Sequence, residues 1–362
     1  MPWTRRSLPL AAATVLCACN PGAGQSASDP STASESAGTT AETTTTADDT
    51  SRGSESDTGP DAHLRVTDVT MRCTHNSYHI EPEDPIDDSH RYTHAPLDVQ
   101  LGDQGVRAFE LDVHSGDGFP VYHIPLGLDD RSTCPDLGAC LGIVDAWSAA
   151  HPAHHLLVVW IEMKDELDSG ILITDYDAFD GVIRGAIAPD RLYEPDAFKR
   201  GRATLREALL EEGWPTVDET RGKVMVVLLD VDLPHSRDYT FNYTSVDGRA
   251  MFARASADHY TLPWAVIAKI DDPTDADGIA AARAAGLLIA SNTGGAGKSD
   301  EENALKLAAG IDNGVHMLCD DFPAPVDGMT YFLDLPGGTP SICNRQTAPL
   351  ECTPAAIESL DG

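Results

Sequence analysis

From residue 69 onward, short apolar runs rich in β-branched residues recur along the chain, each closed by glycine, proline or charged positions. They predict strands at Val69–Thr74, Val106–Val113, Val121–His123, Leu156–Met163, Lys223–Leu229, Ala265–Ile270, Leu287–Ala290 and Val315–Cys319. Within most runs consecutive positions are apolar, as in strands buried on both faces of a parallel sheet. Helical periodicity falls between several of them, at Ile143–Ala150, Tyr176–Ala188, Thr204–Glu212, Asp275–Ala285 and Glu301–Ala309. Pro195, Pro215, Pro273 and Gly286 punctuate these stretches. The stretch from Thr74 to Gly105 reads as irregular, then helical, and no internal repeat is visible. Eight strands with interspersed helices predict a single α/β domain over residues 63–362, a TIM-type (β/α)8 barrel. A doubly wound open sheet is the main alternative.

The N-terminal pattern is different. Arg5 and Arg6 precede an apolar run from Leu8 to Leu16 that ends Leu16-Cys17-Ala18-Cys19. A basic start, a short apolar stretch and a small residue before the cut describe an export signal. Leu-x-Ala-Cys resembles the bacterial lipobox, with residues 1–19 as signal and Cys19 as the lipidated residue. Residues 20–62 hold 17 Ser/Thr, eight Asp/Glu and one Arg. That composition cannot bury enough surface to offset ordering entropy, and it predicts a disordered tether. The expected location is therefore that of an exported bacterial lipoprotein, membrane-anchored or extracellular. No later run approaches the roughly 18 unbroken apolar residues of a membrane helix.

Charge narrows the partners. The chain has 25 Lys+Arg against 58 Asp+Glu, a formal charge of -33. Phosphate-backbone binding needs basic residues, so a nucleic-acid partner is excluded. Excess carboxylate suits an exported protein or one that holds hard cations. Six cysteines lie in the predicted domain, and an even number in an exported chain favours disulfides. Close spacing suggests Cys134–Cys140 and Cys343–Cys352, leaving Cys73 and Cys319 to join the first and last predicted strands.

The chemistry gathers where the predicted strands end. The first ends Cys73-Thr74-His75-Asn76-Ser77-Tyr78 and the second carries Glu110-Leu111-Asp112-Val113-His114. The third ends Val121-Tyr122-His123, and the fourth carries Glu162-Met163-Lys164. In a parallel barrel those ends ring one mouth. Two-residue periodicity puts Glu110, Asp112 and His114 on one face, and Glu162 and Lys164 on one face. Polar groups ending an apolar strand are costly to bury unless paired or liganding. Three carboxylates and an Asn carbonyl make an oxygen cage that favours Ca2+ or Mg2+ over zinc. Histidines beside such a cation suit general acid–base work on a phosphoryl group.

The order His-Asn, then Glu-x-Asp, then His, then Glu resembles calcium-dependent phosphoinositide-specific phospholipase C, in its bacterial single-domain branch. The similarity is carried by Thr74-His75-Asn76-Ser77-Tyr78, the run Gly105 to His114, and Tyr122-His123. By resemblance, Asn76, Glu110, Asp112 and Glu162 hold calcium, and His75 and His123 are the catalytic histidines. The family's internal nucleophile is the inositol 2-hydroxyl, giving a cyclic phosphate and diacylglycerol. Glu110 or Glu162 could accept its proton. One histidine would then protonate the leaving glycerol oxygen and the other stabilise the charged phosphorane. Lys164, Lys269 and His114 are candidates for substrate contact, His114 equally for orienting a ligand. The implied substrate is a phosphatidylinositol-type lipid at a membrane surface, attacked by a monomer.

Rival readings remain open at this point. A glycerophosphodiester phosphodiesterase shares the barrel and a Glu-x-Asp, but typically opens His-Arg-Gly where this chain has His75-Asn76-Ser77. The non-enzymatic rival is a calcium-binding surface lipoprotein, against which His75 and His123 speak. His79, His94 and His151–His155 read as surface or structural. Asp320 and Asp321 could line the mouth or cap. Gly294-Gly295-Ala296-Gly297-Lys298-Ser299 resembles a nucleotide-binding loop, but the required first glycine falls on Asn292. A flexible loop is the better expectation there.

Overall fold

A computed structural model describes residues 64–165, 172–230, 234–337 and 340–358. The expected signal, the tether and Cys19 lie outside the described residues. The apolar runs form β1 (Val69–Thr74), β2 (Ala108–Val113), β3 (Leu157–Met163), β4 (Val224–Leu228), β5 (Phe252–Ala253), β6 (Ile267–Lys269), β7 (Leu288–Asn292) and β8 (Met317–Asp320). These eight pair in parallel in the order β5-β4-β3-β2-β1-β8-β7-β6. A parallel bridge from Arg254 to Ile267 joins the two ends, with the Ala255 amide donating to the Ile267 carbonyl at 2.8 Å. The sheet therefore curls into the expected TIM-type barrel and not into an open, doubly wound sheet.

Helices α1 (Leu97–Gly102), α2 (Leu137–Ala150), α3 (Tyr176–Ala186), α4 (Pro195–Lys199), α5 (Leu205–Glu212), α6 (Pro234–Tyr239), α7 (Ala276–Ala284) and α8 (Asp300–Asn313) lie between strands. Their starts follow from the sequence. Asp136, Asp175, Thr204, Asp275 and Ser299 each accept a hydrogen bond from a first-turn amide of the helix they precede. After α8, Gly314 takes φ +76, a conformation that stops the helix and suits glycine. The link from β5 to β6 carries a short 3-10 turn at Ala257–His259 in place of an α-helix. Strand β9 (Ser341–Cys343) runs antiparallel along the first half of β1, and α9 (Pro354–Ile357) follows it. Buried Arg107 donates to both carboxylate oxygens of Glu358, at 3.1 and 3.0 Å, fastening this tail beside β2.

One strand expectation needs correction. Val121–His123 is not a barrel strand. Val121 makes an isolated antiparallel bridge to Val113 within the excursion between β2 and α2. Pro120 and Pro125, which lack the donor a strand needs, bracket the run. The missing barrel strand is β5, two residues long and too short to show a period.

Alternation along the strands sorts the two sides of the barrel wall. Phe109, Leu111 and Val113 pack with Leu157, Val159 and Ile161 in the apolar cluster that also holds residues of α1, α2 and α3. Ala108, Val158 and Trp160 fall in the other cluster, with Met225 and Val227. Glu110, Asp112 and Glu162 share the parity of that second set, so they face the lumen.

The three disulfides pair as the spacing suggests. Cys73–Cys319 joins β1 to β8, spanning 246 residues. It lies two residues before both His75 and Asp321. Replacing Cys73 and Cys319 together by alanine should lower the unfolding free energy by roughly 2–5 kcal/mol. Urea denaturation checks this, and an unchanged midpoint would show that strand pairing holds the seam without the bond.

Candidate active site

At the end of β1 the chain turns sharply at Asn76, a buried residue with φ 43, which asparagine tolerates better than most. Ser77 pins that turn to β2. Its amide donates to the Glu110 carbonyl and its hydroxyl accepts from the Glu110 amide, both at 2.8 Å. His75 and Asn76 are thereby held beside the Glu-x-Asp pair. In the register of β2 against β3, Asp112 stands opposite Glu162. Carboxylate oxygens of Glu110, Asp112 and Glu162 lie within 4.8 Å of one another.

Burial makes this cluster demanding. Asp112 is fully buried, and neither of its carboxylate oxygens has a hydrogen-bond partner among the described residues. Its pKa is raised to about 6, mainly by burial, with Glu162 and Glu110 adding to the rise and Lys164 opposing it. Burial also works on Glu110, but the charges of Lys269 and His75 outweigh it and hold that carboxyl below its usual range. Lys269 donates to Glu110 at 2.6 Å. Lys164 lies 2.9 Å from Glu162 and 3.7 Å from Asp112. A buried carboxylate with no donor, in an all-oxygen set, fits a hard divalent cation such as Ca2+.

The two expected catalytic histidines each lean on an aspartate. His75 Nδ1 meets Asp321 Oδ1 at 2.9 Å, and its Nε2 lies 3.9 Å from Glu110. Burial disfavours its charged form, but Asp321 and then Glu110 prevail and raise its pKa to about 9. Asp321 in turn accepts from the Ala296 amide at 2.9 Å. His123 Nδ1 meets Asp129 Oδ2 at 2.7 Å. Asp129 is buried, yet its bonds to His123 and His79 keep its pKa well below the ordinary carboxylate value.

Two cavities adjoin here. One, of about 280 Å3, is lined by His75, Glu110, Glu162, Arg254 and Lys269 among others. The other, of about 190 Å3, is lined by His75, Asn76, His79, His90, His123 and Asp321 among others. His75 belongs to both walls, so the carboxylate cluster and the second histidine open onto one mouth.

The remaining sequence candidates sort by these contacts. Lys269 lines the larger cavity. Lys164 is engaged by carboxylates of the cluster. His114 lines neither of these cavities. It is fully buried, stacked on Tyr122 at 3.8 Å between centroids and bonded to the Tyr122 carbonyl at 2.9 Å. These contacts tie it to the loop that carries His123, as the alternative of an orienting role expects.

Sequence reasoning missed Asp129, His90 and Arg254, which lie in loops or beside the two-residue strand where periodicity is silent. It left Asp321 undecided between lining the mouth and capping. The glycine-rich segment after β7 is pinned more than expected, since its Gly295 and Ala296 amides donate to Asn303 and Asp321.

A family model for Ca2+-dependent phosphoinositide phospholipase C matches residues 114–345. The chain belongs to this family. His123 and Glu162 fall inside the matched range, while His75, Asn76, Glu110 and Asp112 precede it. Solved structures of calcium-dependent phospholipases C are also similar. The Ca2+-dependent phospholipase C of Streptomyces antibioticus shares 21% identity at a TM-score of 0.54, over 72% of this chain and 95% of its own. The calcium-dependent enzyme of a Pseudomonas species shares 19% at 0.55, over 79% and 97%. Its myo-inositol complex shares 18% at 0.55, over 78% and 96%. At such identities the likeness shows the barrel. No curated protein matches the chain.

The Ca2+-dependent phosphoinositide phospholipase C family consists of phosphodiesterases, and the carboxylate cluster meets its metal requirement in chemistry and burial. Asp112 must be deprotonated to hold the ion, so protons compete as pH falls through its pKa of about 6. Below that pH, Ca2+ affinity should drop by about tenfold per unit. Calorimetric titration between pH 5 and pH 8, chosen to span about one unit or more either side, should show this slope. In Asp112→Asn the affinity should be weak and the slope flat, and an unchanged titration would remove Asp112 from the cage.

Proposed function

We propose that the protein is a phosphatidylinositol-specific phospholipase C that cleaves the glycerol–phosphate bond, releasing diacylglycerol and a cyclic inositol phosphate. The observation that carries this reading is the meeting of an all-oxygen cluster, Glu110, Asp112 and Glu162, with two aspartate-held histidines at one barrel mouth. Asn76, Glu110, Asp112 and Glu162 would hold Ca2+. When bound, the ion supplies Lewis acidity toward a phosphate oxygen and lowers the pKa of the inositol 2-hydroxyl.

The chain's own groups account for the rest. Glu110, kept ionised by Lys269, or Glu162 takes the 2-hydroxyl proton as that oxygen attacks phosphorus. His75, protonated at neutral pH because of Asp321 and Glu110, stabilises the added negative charge on the phosphorane. His123, held at Nδ1 by Asp129, then protonates the departing glycerol oxygen through Nε2. A charge kept at neutral pH suits His75 to stabilisation, and that leaves proton transfer to His123. Lys269 and Arg254, both on the wall of the larger of these two cavities, would contact phosphate or inositol oxygens. A lipid on Cys19, joined by the tether of residues 20–62, would keep the barrel at a membrane surface.

His75→Ala and His123→Ala should each lower turnover of phosphatidylinositol vesicles by roughly 10²–10⁴-fold while leaving Ca2+ affinity nearly intact. Diacylglycerol release and calorimetry read the two quantities separately. A variant retaining more than about a tenth of the rate would lose its place in the mechanism.

A further inference from the structure

A second cluster of ligand atoms lies beside the first and has different chemistry. Asp129 Oδ2 is 2.7 Å from His123 Nδ1 and 3.3 Å from His90 Nδ1. All three atoms lie within 4.8 Å of one another. His90 is buried, and its Nδ1 has no hydrogen-bond partner among the described residues, so its approach to Asp129 is close but not aligned for a hydrogen bond. The His90 and His123 rings meet edge to face at 5.1 Å. Behind them, His79 Nε2 holds the other Asp129 oxygen at 2.9 Å, and His79 Nδ1 rests on the Tyr92 carbonyl at 3.0 Å. That outer bond orients the carboxylate as the supporting residues of metal sites do.

We propose that His90, His123 and Asp129 form a second metal site, for a nitrogen-preferring divalent ion of the zinc class, and that filling it switches the enzyme off. Two imidazoles and one carboxylate are a zinc-type set, whereas the Glu110 cluster is all oxygen. The site is distinct from the calcium cage in ligands and in preferred ion. Inhibition follows from His123 and rests on its role as the acid. Binding displaces the Nδ1 proton to solvent and puts the ion in its place. The ring then retains only the Nε2 proton, and a neutral imidazole is a far weaker acid than imidazolium. The leaving glycerol oxygen loses its donor although substrate and Ca2+ still bind.

The test titrates Zn2+ into the full chain saturated with Ca2+, by calorimetry and by phosphatidylinositol turnover. One Zn2+ should bind per chain with Ca2+ retained, and turnover should fall with the same midpoint. His90→Gln should bind Zn2+ roughly tenfold more weakly or worse, and whatever turnover it retains should need correspondingly more Zn2+ to inhibit. Relief of inhibition by added Ca2+ would place Zn2+ in the carboxylate cage and overturn the site. Equal zinc binding by wild type and His90→Gln would overturn it as well. Zinc binding that needs His90 but leaves the rate unchanged would keep the site and refute both the switch and the acid role of His123. Should His90→Gln fold poorly, Co2+ bound to the Ca2+-saturated wild type decides. Tetrahedral-type visible absorption lost on adding Zn2+ supports the site, and its absence overturns it.

Discussion

Three carboxylates in one barrel mouth repel one another, and the surrounding structure answers that repulsion. Two unit charges 4.8 Å apart cost roughly 3 kcal/mol at an effective dielectric of about 20. Lys269 neutralises part of Glu110, and Lys164 lies between Glu162 and Asp112. His75 adds a third positive charge at the rim. Asp112 is the member left without a hydrogen-bond donor among the described residues, and burial drives its pKa up. What the positive groups leave over is not net charge but the bare Asp112 oxygens, and a divalent cation would give them the close partner that Lys164, at 3.7 Å, does not.

Holding such a cluster requires a frame that cannot relax around it. The Cys73–Cys319 bond lies beneath the His75–Asp321 pair, and Ser77 clasps the Glu110 backbone from both sides. The histidines are treated alike. Each gives Nδ1 to a buried aspartate, and each aspartate is itself held, Asp321 by the Ala296 amide and Asp129 by His79. Their surroundings differ. His75 faces Glu110 as well as Asp321, which keeps it cationic, whereas His123 shares its single aspartate with two other imidazoles.

Much of this was legible in the chain. Seven of the eight barrel strands announce themselves as apolar runs, and alternation within Glu110–His114 already separates the clustered carboxylates from Leu111 and Val113. The disulfides follow from spacing and from the positions of Cys73 and Cys319 on the first and last runs. What could not be read depends on loops. Phe252–Ala253 is too short to carry a period, so Val121–His123 took its place among the expected strands. Asp129 and His90 meet His123 only because an irregular excursion folds back on itself, and no local pattern encodes that return. Lys164 and His114 share parity with the clustered carboxylates, yet one is paired with Glu162 and the other stacks on Tyr122.

The central claim is that this mouth converts a phosphatidylinositol headgroup to a cyclic phosphodiester with calcium. Phosphorus NMR of the purified chain with phosphatidylinositol micelles, first with Ca2+ and then with excess chelator, tests it most directly. A cyclic inositol phosphate signal should grow with Ca2+ present and stop growing when chelator is added. Growth that continues under chelator, or cleavage that never passes through the cyclic product, would contradict the account.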